Sequence, residues 1–279
     1  MVVADAYPNF STCGIPYYVS GEVTHWRNLA HRTAADLEAT GMALRLDTTA
    51  RRIDVAGRKL LVTAADGAEE VIGYDKLVIG TGAVSARPPI SGLDALGPAD
   101  GVHLLHSMGD TFSVMRTLEH SAPASAVIIG AGYIGLEMAE ALTARGLAVT
   151  QMEQLGEVLP AVDPELGALV HAELAAHGVE VLAGTTVRQL SRASSGEAAR
   201  LSVDATAAGR ETISRMADMV LVVTGVRPDT ELAASAGAAL GVRGAIVVDR
   251  GMRTKVQDVF AAGDCVSGST SPPPPFSTP

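Results

Sequence analysis

Cys13 is the first residue along the chain whose side chain could do covalent chemistry. It lies in the segment NFSTCGIPYY, residues 9–18, after two small hydroxyl residues and before a glycine. A cysteine thiolate is a nucleophile, and it can be oxidised to a disulfide or a sulfenic acid. The chain contains one other cysteine, Cys265, far away in the sequence. From the residues alone, Cys13 could be a buried small residue, half of a disulfide or a reactive thiol.

The segment GAGYIG, residues 130–135, has the G-x-G-x-x-G spacing of a dinucleotide-binding turn. It follows the apolar strand AVII and opens a predicted helix, which is the context that this motif requires. Gly130 permits the tight turn, Gly132 lets a pyrophosphate approach the backbone, and Gly135 allows close packing of helix on strand. The amide groups at the start of the helix would face the phosphates. The alternative is a glycine turn that serves packing only.

Three acidic residues end apolar runs. Glu153 ends the strand after the glycine turn, VTQME, where a carboxylate accepts hydrogen bonds from a ribose and repels a 2′-phosphate. The sequence therefore favours NADH over NADPH. Asp5 ends MVVAD and is either a second acid of this kind or an ordinary surface residue. Gly263-Asp264 ends TKVQDVFAAGD and puts a carboxylate at the C-terminal edge of a strand, although such a turn can also be merely structural.

Alternating strands and helices must position these residues. Residues 126–153 are predicted to form strand, glycine turn, helix and strand, which is one βαβ unit. Residues 163–178 predict a further helix with Asp163 at its N-cap and Pro164 at its first position. Asp66-Gly67 between two strand-like pieces predicts a hairpin. The pattern indicates an α/β fold with a parallel sheet covered on both faces.

Composition excludes several classes of protein. The net charge of −10 argues against a general nucleic-acid binder. No segment approaches the roughly 20 consecutive apolar residues of a membrane helix, and the first residues lack a signal-peptide pattern. Two cysteines fit a reducing compartment, so the sequence predicts a cytoplasmic protein without a membrane partner. His103 and His106 have no third ligand nearby, so no metal site is predicted.

Four landmarks together resemble the FAD-dependent pyridine nucleotide–disulfide oxidoreductases. They are LVIGTGA (77–83), GAGYIGLEMAE (130–140), VTGVRP (223–228) and GAIVVDRGMRT...DVFAAGDC (244–265). NFSTCGIPYY is similar to the single-cysteine branch, which includes coenzyme A-disulfide reductases, NADH oxidases, NADH peroxidases and persulfide reductases. The glutathione-reductase branch carries a second cysteine at the position that Tyr18 occupies here.

The resemblance implies a role for each candidate residue. Cys13 would be the redox cysteine beside the flavin, with Asp5 as a further cofactor-binding acid. Bordering or binding the FAD would be Gly80, Thr81, Gly82, Gly263 and Asp264. Holding NADH would be Gly130, Gly132, Tyr133, Ile134 and Gly135, with Glu137 and Gly225 near the nicotinamide and Glu153 at the adenosine ribose.

The resemblance also implies the domain organisation. It predicts two nested, doubly wound, Rossmann-like domains with parallel sheets. The FAD-binding domain would comprise residues 1–108 and 227–266, the NAD(H)-binding domain residues 109–226, and a disordered tail residues 267–279. The family's FAD domain begins with its own glycine-rich βαβ unit, and a C-terminal dimerisation domain follows it. The sequence therefore predicts a chain truncated at both ends, with an incomplete FAD domain.

The implied activity is that of an FAD- and NADH-dependent oxidoreductase. Electrons would pass from NADH through the flavin to Cys13 and then to a small disulfide, persulfide, peroxide or oxygen. The parent enzyme would be a homodimer that acts on small molecules. Two alternatives stay open: a ferredoxin- or rubredoxin-reductase-like flavoprotein in which Cys13 is incidental, and a non-catalytic fragment that binds NADH only.

Overall fold

The computed structural model describes residues 1–4, 11–193, 200–207 and 211–268 of the chain. It contains two compact units. The first comprises Arg32–Val84 with the described parts of Met1–Pro8 and Val226–Pro279, and the second comprises Ser85–Gly225 with the described part of Asn9–His31. In the described ranges, no helix is both long and apolar enough to cross a membrane. Asp5 lies outside the described residues, as do residues 269–279 of the predicted tail.

The strands are short and are numbered in chain order. They are β1 (Val2–Val3), β2 (Leu44–Arg45), β3 (Thr48–Asp54), β4 (Lys59–Ala64), β5 (Glu69–Gly73), β6 (Leu77–Ile79), β7 (Ala83–Ser85), β8 (Val102–Leu104), β9 (Ser125–Ile129), β10 (Ala148–Met152), β11 (Glu180–Leu182), β12 (Thr186–Arg192), β13 (Leu201–Thr206), β14 (Thr212–Ala217), β15 (Met219–Val222), β16 (Val226–Pro228), β17 (Ile246–Val248), β18 (Val259–Ala261) and β19 (Val266–Gly268).

The helices include three of twelve to fourteen residues, all in the second unit. In chain order the α-helices are α1 (Ile15–Ser20), α2 (Ala34–Glu38), α3 (Met108–Ser121), α4 (Tyr133–Ala144), α5 (Pro164–Ala176) and α6 (Glu231–Ser235). Short 3-10 turns lie at Thr12–Gly14, Trp26–Leu29, Pro98–Asp100 and Val242–Gly244. The helix predicted over residues 163–178 is α5, with Asp163 at its N-cap and proline in its first turn, as expected.

The second unit is built on a five-stranded sheet in the order β11-β10-β9-β15-β8. Every neighbouring pair in this sheet is parallel. After Ser125 the central strand β9 is apolar, and β15 is apolar throughout, as expected for strands covered on both faces. Ile128 and Leu221 are both 0% exposed. The helix α4 connects β9 to β10 and packs against both strands. The predicted βαβ unit is therefore confirmed.

A three-stranded antiparallel sheet, β12-β13-β14, covers the parallel sheet of the second unit. Val203 of β13 belongs to the same core cluster as Val127 of β9 and Val220 of β15. Buried residues alternate with half-buried ones along β13, which fits a sheet with one face packed on the core. The sequence analysis predicted a parallel sheet and did not predict antiparallel pairing in this part of the chain.

The segment that carries Cys13 belongs to the second unit. The short helix α1 lies against α4. It buries Ile15 and Val19, which are four residues apart and therefore on one side of the helix. Arg145, at the C-cap of α4, donates a hydrogen bond from Nε to the carbonyl oxygen of Val19. The turn with Cys13 is thus anchored to the helix that follows the glycine turn.

The first unit contains small sheets around a separate core. Three parallel pairs, β1-β2, β6-β18 and β17-β19, accompany the antiparallel sheet β3-β4-β5. The hairpin predicted at Asp66-Gly67 joins β4 to β5, and Gly67 has a left-handed backbone with φ of 86°. Ile79, Val259 and Cys265 belong to the core cluster of this unit.

The compact units differ in extent from the boundaries predicted for the two domains. The second unit begins at Ser85, whereas the predicted nucleotide domain begins at residue 109, and it also includes Asn9–His31. Residues 85–101 are rich in Pro, Gly and Asp. In the structure this segment contributes Ile90 and Leu93 to the core of the second unit. Ser267, predicted to begin the tail, lies in β19.

His103 in β8 gives the second unit a pH-dependent stability. Its side chain is 1% exposed, and burial, with a smaller contribution from Arg116, lowers its pKa from 6.5 to about 4. The unfolded chain takes up a proton between these pH values and the folded chain does not. Its contribution is therefore fully present above pH 6.5 and is lost as the pH falls towards 4.

We expect this titration to lower the free energy of unfolding by about 2 kcal/mol between about pH 7.5 and about pH 5. Denaturant unfolding measures the free energy of unfolding at both pH values. In His103→Gln, its decrease from the higher to the lower pH should be smaller than in the wild type by that amount. His120→Gln is the matched control, because His120 lies exposed at the end of α3. An unchanged pH dependence in His103→Gln would contradict the assignment.

Candidate functional site

The glycine turn lies at the carboxyl edge of the five-stranded sheet, where the strand order reverses. From β9 the chain passes through α4 to β10 on one side, and β15 later pairs with β9 on the other side. Gly130 directly follows β9, and its amide donates a hydrogen bond to the carbonyl oxygen of Met152, 2.8 Å away. In open α/β sheets this reversal leaves a crevice outside the strand ends, where ligands bind.

A cavity of about 530 Å³ opens in this crevice. Six residues predicted from sequence line it: Gly130, Gly132, Tyr133, Ile134, Glu153 and Gly225. The predicted residues Gly135 and Glu137 lie on α4 outside that lining. Burial, together with the charge of Glu140, raises the pKa of the Glu137 carboxyl. The structure thus brings most of the predicted nucleotide-binding residues to one cavity.

The three glycines of the turn are required for different reasons. Gly130 has a φ of 107°, and a Cβ there would lie 2.6 Å from the carbonyl oxygen of Val223. A Cβ at Gly135 would lie 2.1 Å from the carbonyl oxygen of Gly130. Apart from its chain neighbours, Gly132 has no atom within 4 Å of a Cβ position, so there is open space beside it. Gly130 and Gly135 therefore serve backbone packing, whereas Gly132 leaves room beside the turn.

The N-terminus of α4 presents amide groups at the same turn. Gly132 is the N-cap, no side chain caps the helix there, and no acidic residue lies in its first turn. The first amides of a helix have no partner within the helix. Together with the helix dipole they favour an anion, which fits a pyrophosphate lying beside Gly132.

Glu153 is 6% exposed, and its carboxylate contacts the backbone of the glycine turn. Its Oε2 accepts a hydrogen bond from the amide of Ala131 at 2.8 Å, and its Oε1 accepts one from the amide of Leu155 at 2.9 Å. A carboxylate can accept about four hydrogen bonds. Glu153 therefore fixes the glycine turn and retains acceptor capacity towards the cavity that it lines.

Gln151 supports the turn, and the sequence analysis missed it. Its side chain is 0% exposed, and its Nε2 donates a hydrogen bond to the carbonyl oxygen of Gly130 at 3.2 Å. In the sequence, Gln151 is a single amide side chain within the apolar strand β10. That pattern does not predict a role at a nucleotide site. In the structure, this hydrogen bond fixes the carbonyl group of Gly130, against which Gly135 packs.

The residues predicted to border a flavin meet in the first unit. Gly80 and Ala262 directly follow the parallel strands β6 and β18, in which Ile79 pairs with Ala261. The amide of Ala262 donates a hydrogen bond to the carbonyl oxygen of Ile79 at 3.0 Å. The two loops that follow, with Gly80, Thr81 and Gly82 on one and Gly263 and Asp264 on the other, therefore start side by side.

Each of these loops contains a glycine with free space beside its backbone. Gly82 and Gly263 have φ values of 69° and 87°, and no atom lies within 4 Å of a Cβ position at either residue. Thr81 donates a hydrogen bond through its hydroxyl group to the carbonyl oxygen of Asp229, and Asp264 is exposed. This arrangement fits a ligand that approaches the backbone closely, as the resemblance implies for FAD.

The two cysteines have opposite environments. Both are free, with Cys13 exposed and Cys265 buried, so neither is half of a disulfide. The Sγ of Cys265 lies 3.3 Å from the carbonyl oxygen of Ala262 and 3.7 Å from that of Ile79. Cys265 is thus a core residue of the first unit, while the thiol of Cys13 is accessible to reagents in solution.

The sequence profile described as pyridine nucleotide-disulphide oxidoreductase matches residues 4–274. An NADH oxidase of Methanocaldococcus jannaschii is 32% identical over 267 residues, which cover 92% of this chain and 55% of the relative. Among solved structures, an NAD-dependent persulfide reductase from A. fulgidus is 36% identical with a TM-score of 0.83, covering 94% of this chain and 47% of that one.

The reduced CoADR-RHD of Bacillus anthracis is 28% identical with a TM-score of 0.84, covering 95% of this chain and 46% of that one. The chain spans about half the length of the relatives it matches.

Proposed function

The chain belongs to the pyridine nucleotide-disulphide oxidoreductases, and from this premise we propose that it binds NADH in the crevice of the second unit. The proposal includes FAD at the first unit and transfer of electrons through Cys13 to a small acceptor. The observation that carries it is the glycine turn between β9 and α4. There an open Gly132, an uncapped helix N-terminus and Glu153 border one cavity of about 530 Å³.

Each feature of the crevice has a separate task in binding the nucleotide. The first amides of α4 bind the pyrophosphate, since Gly132 leaves room for its oxygens. Glu153, held by the amides of Ala131 and Leu155, accepts a hydrogen bond from the adenosine ribose. Tyr133, Ile134 and Gly225 also line the cavity and help to exclude water from the bound nucleotide.

The flavin side of the proposal rests on the paired loops of the first unit. Gly82 and Gly263 let a flat ring system approach the backbone, and the carboxylate of Asp264 accepts hydrogen bonds from hydroxyl groups of the cofactor chain. When bound, a flavin accepts a hydride from nicotinamide and passes the electrons on. Cys13 supplies an accessible thiol that can take part in disulfide exchange.

Binding measurements on the purified chain test the two cofactors separately. Titration with NADH should quench protein or cofactor fluorescence with saturation, and competition by ADP should reverse it. Added FAD should stay with the protein through gel filtration and give it a visible absorbance band. A chain that binds no NADH contradicts the crevice assignment, and a chain that stays colourless contradicts the flavin assignment.

Cys13→Ser tests the role of the thiol. In protein that carries FAD, we expect reduction of coenzyme A disulfide by NADH to fall by about 100-fold or more, because serine cannot form the mixed disulfide. NADH binding should stay unchanged, since Cys13 lies outside the cavity lining. Cys265→Ala is the cysteine control. If Cys13→Ser keeps full turnover with a protein electron acceptor, the ferredoxin-reductase-like alternative is favoured.

A further inference from the structure

The loop between β10 and α5 forms one wall of the crevice. We call residues 154–162 the wall loop; its Leu155 and Pro160 line the cavity. The amide of Leu159 donates a hydrogen bond to the carbonyl oxygen of Ala131 in the glycine turn, 2.8 Å away. Leu159 has a left-handed backbone with φ of 51°, which a leucine keeps only where the surrounding structure holds it. The wall loop is therefore fixed against the glycine turn.

Glu157 and His171 join the wall loop to α5. Oε1 of Glu157 accepts hydrogen bonds from the amide of Val158 at 2.8 Å and from Nδ1 of His171 at 2.9 Å. The side chain of Glu157 is 22% exposed and that of His171 is 33% exposed. Solvent therefore screens this contact less than it screens an ion pair on the open surface.

The wall loop and α5 are also closely packed at Gly167. A Cβ at this residue would lie 2.6 Å from the carbonyl oxygen of Val158 and 2.8 Å from Cγ of Glu157. Val158 is itself 1% exposed. Glu157 therefore connects the loop backbone to the helix at a point where the two are in direct contact.

We propose that Glu157 and His171 are positioning residues for NADH, because they hold the wall loop where it completes the crevice. This inference rests on the proposed nucleotide site. Both side chains lie outside the cavity lining, so their effect reaches the nucleotide through the loop. Without the pair, the loop occupies other positions as well. The apparent affinity for NADH then falls with the fraction of chains that keep the loop in place.

Titration with NADH compares the wild type with His171→Ala and His171→Asn. In His171→Ala the dissociation constant should rise by about tenfold, the change expected if about one chain in ten keeps the loop in place. Alanine is the better helix former, which offsets part of the stability lost with the hydrogen bond. Asparagine retains a donor close to the position of Nδ1, so His171→Asn should stay within about threefold of the wild type.

A double variant tests whether the two residues act as one unit. Glu157→Ala should raise the dissociation constant by about tenfold, and the double variant with His171→Ala should raise it no further. His177→Ala is the matched control, because it removes the histidine of an exposed pair with Glu173 at the end of α5. This control should bind NADH as the wild type does.

Three outcomes overturn the inference and leave the proposed function intact, provided that the wild type binds NADH. They are unchanged affinity in folded His171→Ala, equal losses in His171→Ala and His171→Asn, and single effects that multiply in the double variant. A wild-type chain that binds no NADH overturns the proposed function and the inference together. Thermal unfolding of each variant establishes that folded proteins are compared, and Glu157→Ala decides the test where His171→Ala does not fold.

Discussion

Gly132→Val is expected to abolish NADH binding while the chain stays folded. Gly132 has φ of −76° and ψ of −173°, an extended conformation that valine adopts readily. Apart from atoms of the adjacent residues, no protein atom lies within 4 Å of the new Cβ. The valine methyl groups would occupy the open space beside the first amides of α4, where the pyrophosphate is proposed to lie. We expect the dissociation constant for NADH to rise by about 100-fold or more.

Fluorescence titration measures this loss, and thermal unfolding checks the fold. The melting temperature should stay within about 2 °C of the wild type, because the substitution contacts no core residue. Gly73→Val is the matched control, since Gly73 also has an open Cβ position but lies at the end of β5 in the first unit. If folded Gly132→Val bound NADH with unchanged affinity, the glycine turn would not be part of the nucleotide site.

Gly135→Ala is expected to destabilise the second unit strongly although it adds one methyl group. The new Cβ would lie 2.1 Å from the carbonyl oxygen of Gly130 and 3.0 Å from Nε2 of Gln151. The first of these atoms belongs to the backbone of the turn, so α4 must move away from β9. Overpacking of this kind costs about 3 kcal/mol, which denaturant unfolding would measure as a lower free energy of unfolding.

Gly109→Ala provides the contrast, because it makes the same change in an exposed position of α3. The nearest atom to the new Cβ would be Oγ of Ser107, at an ordinary van der Waals distance of 3.6 Å. Alanine is the better helix former, so this variant should be stabilised by about 0.5 kcal/mol. If both variants changed stability equally, the close packing of α4 on the glycine turn would not be the cause.

Local patterns were sufficient to predict the nucleotide-binding turn. The G-x-G-x-x-G spacing, the apolar strand before it and the acid at the end of the next strand lie within 28 residues, from 126 to 153. Each depends on short-range rules: a buried parallel strand must be apolar, and a strand-to-helix turn with close packing needs glycine. For that reason the positions of β9, α4 and β10, and the crowding at Gly130 and Gly135, agree with the expectation.

Contacts between distant segments could not be predicted in this way. Nothing in the residues around Cys13 indicates that α1 packs on α4, more than 100 residues away, through Val19 and Arg145. The support that Gln151 gives to Gly130 likewise depends on how two strands align.

The sequence by itself determined the βαβ unit, its glycine turn, the acid at Glu153 and the likeness to a redox family, because periodicity and turn chemistry are local properties. Only the tertiary structure decided which segments share a unit, that an antiparallel sheet covers the parallel one, and that Cys13 is exposed while Cys265 is buried. Those outcomes depend on the burial of apolar surface between segments far apart in the chain, and no local pattern specifies which partner a buried face will meet.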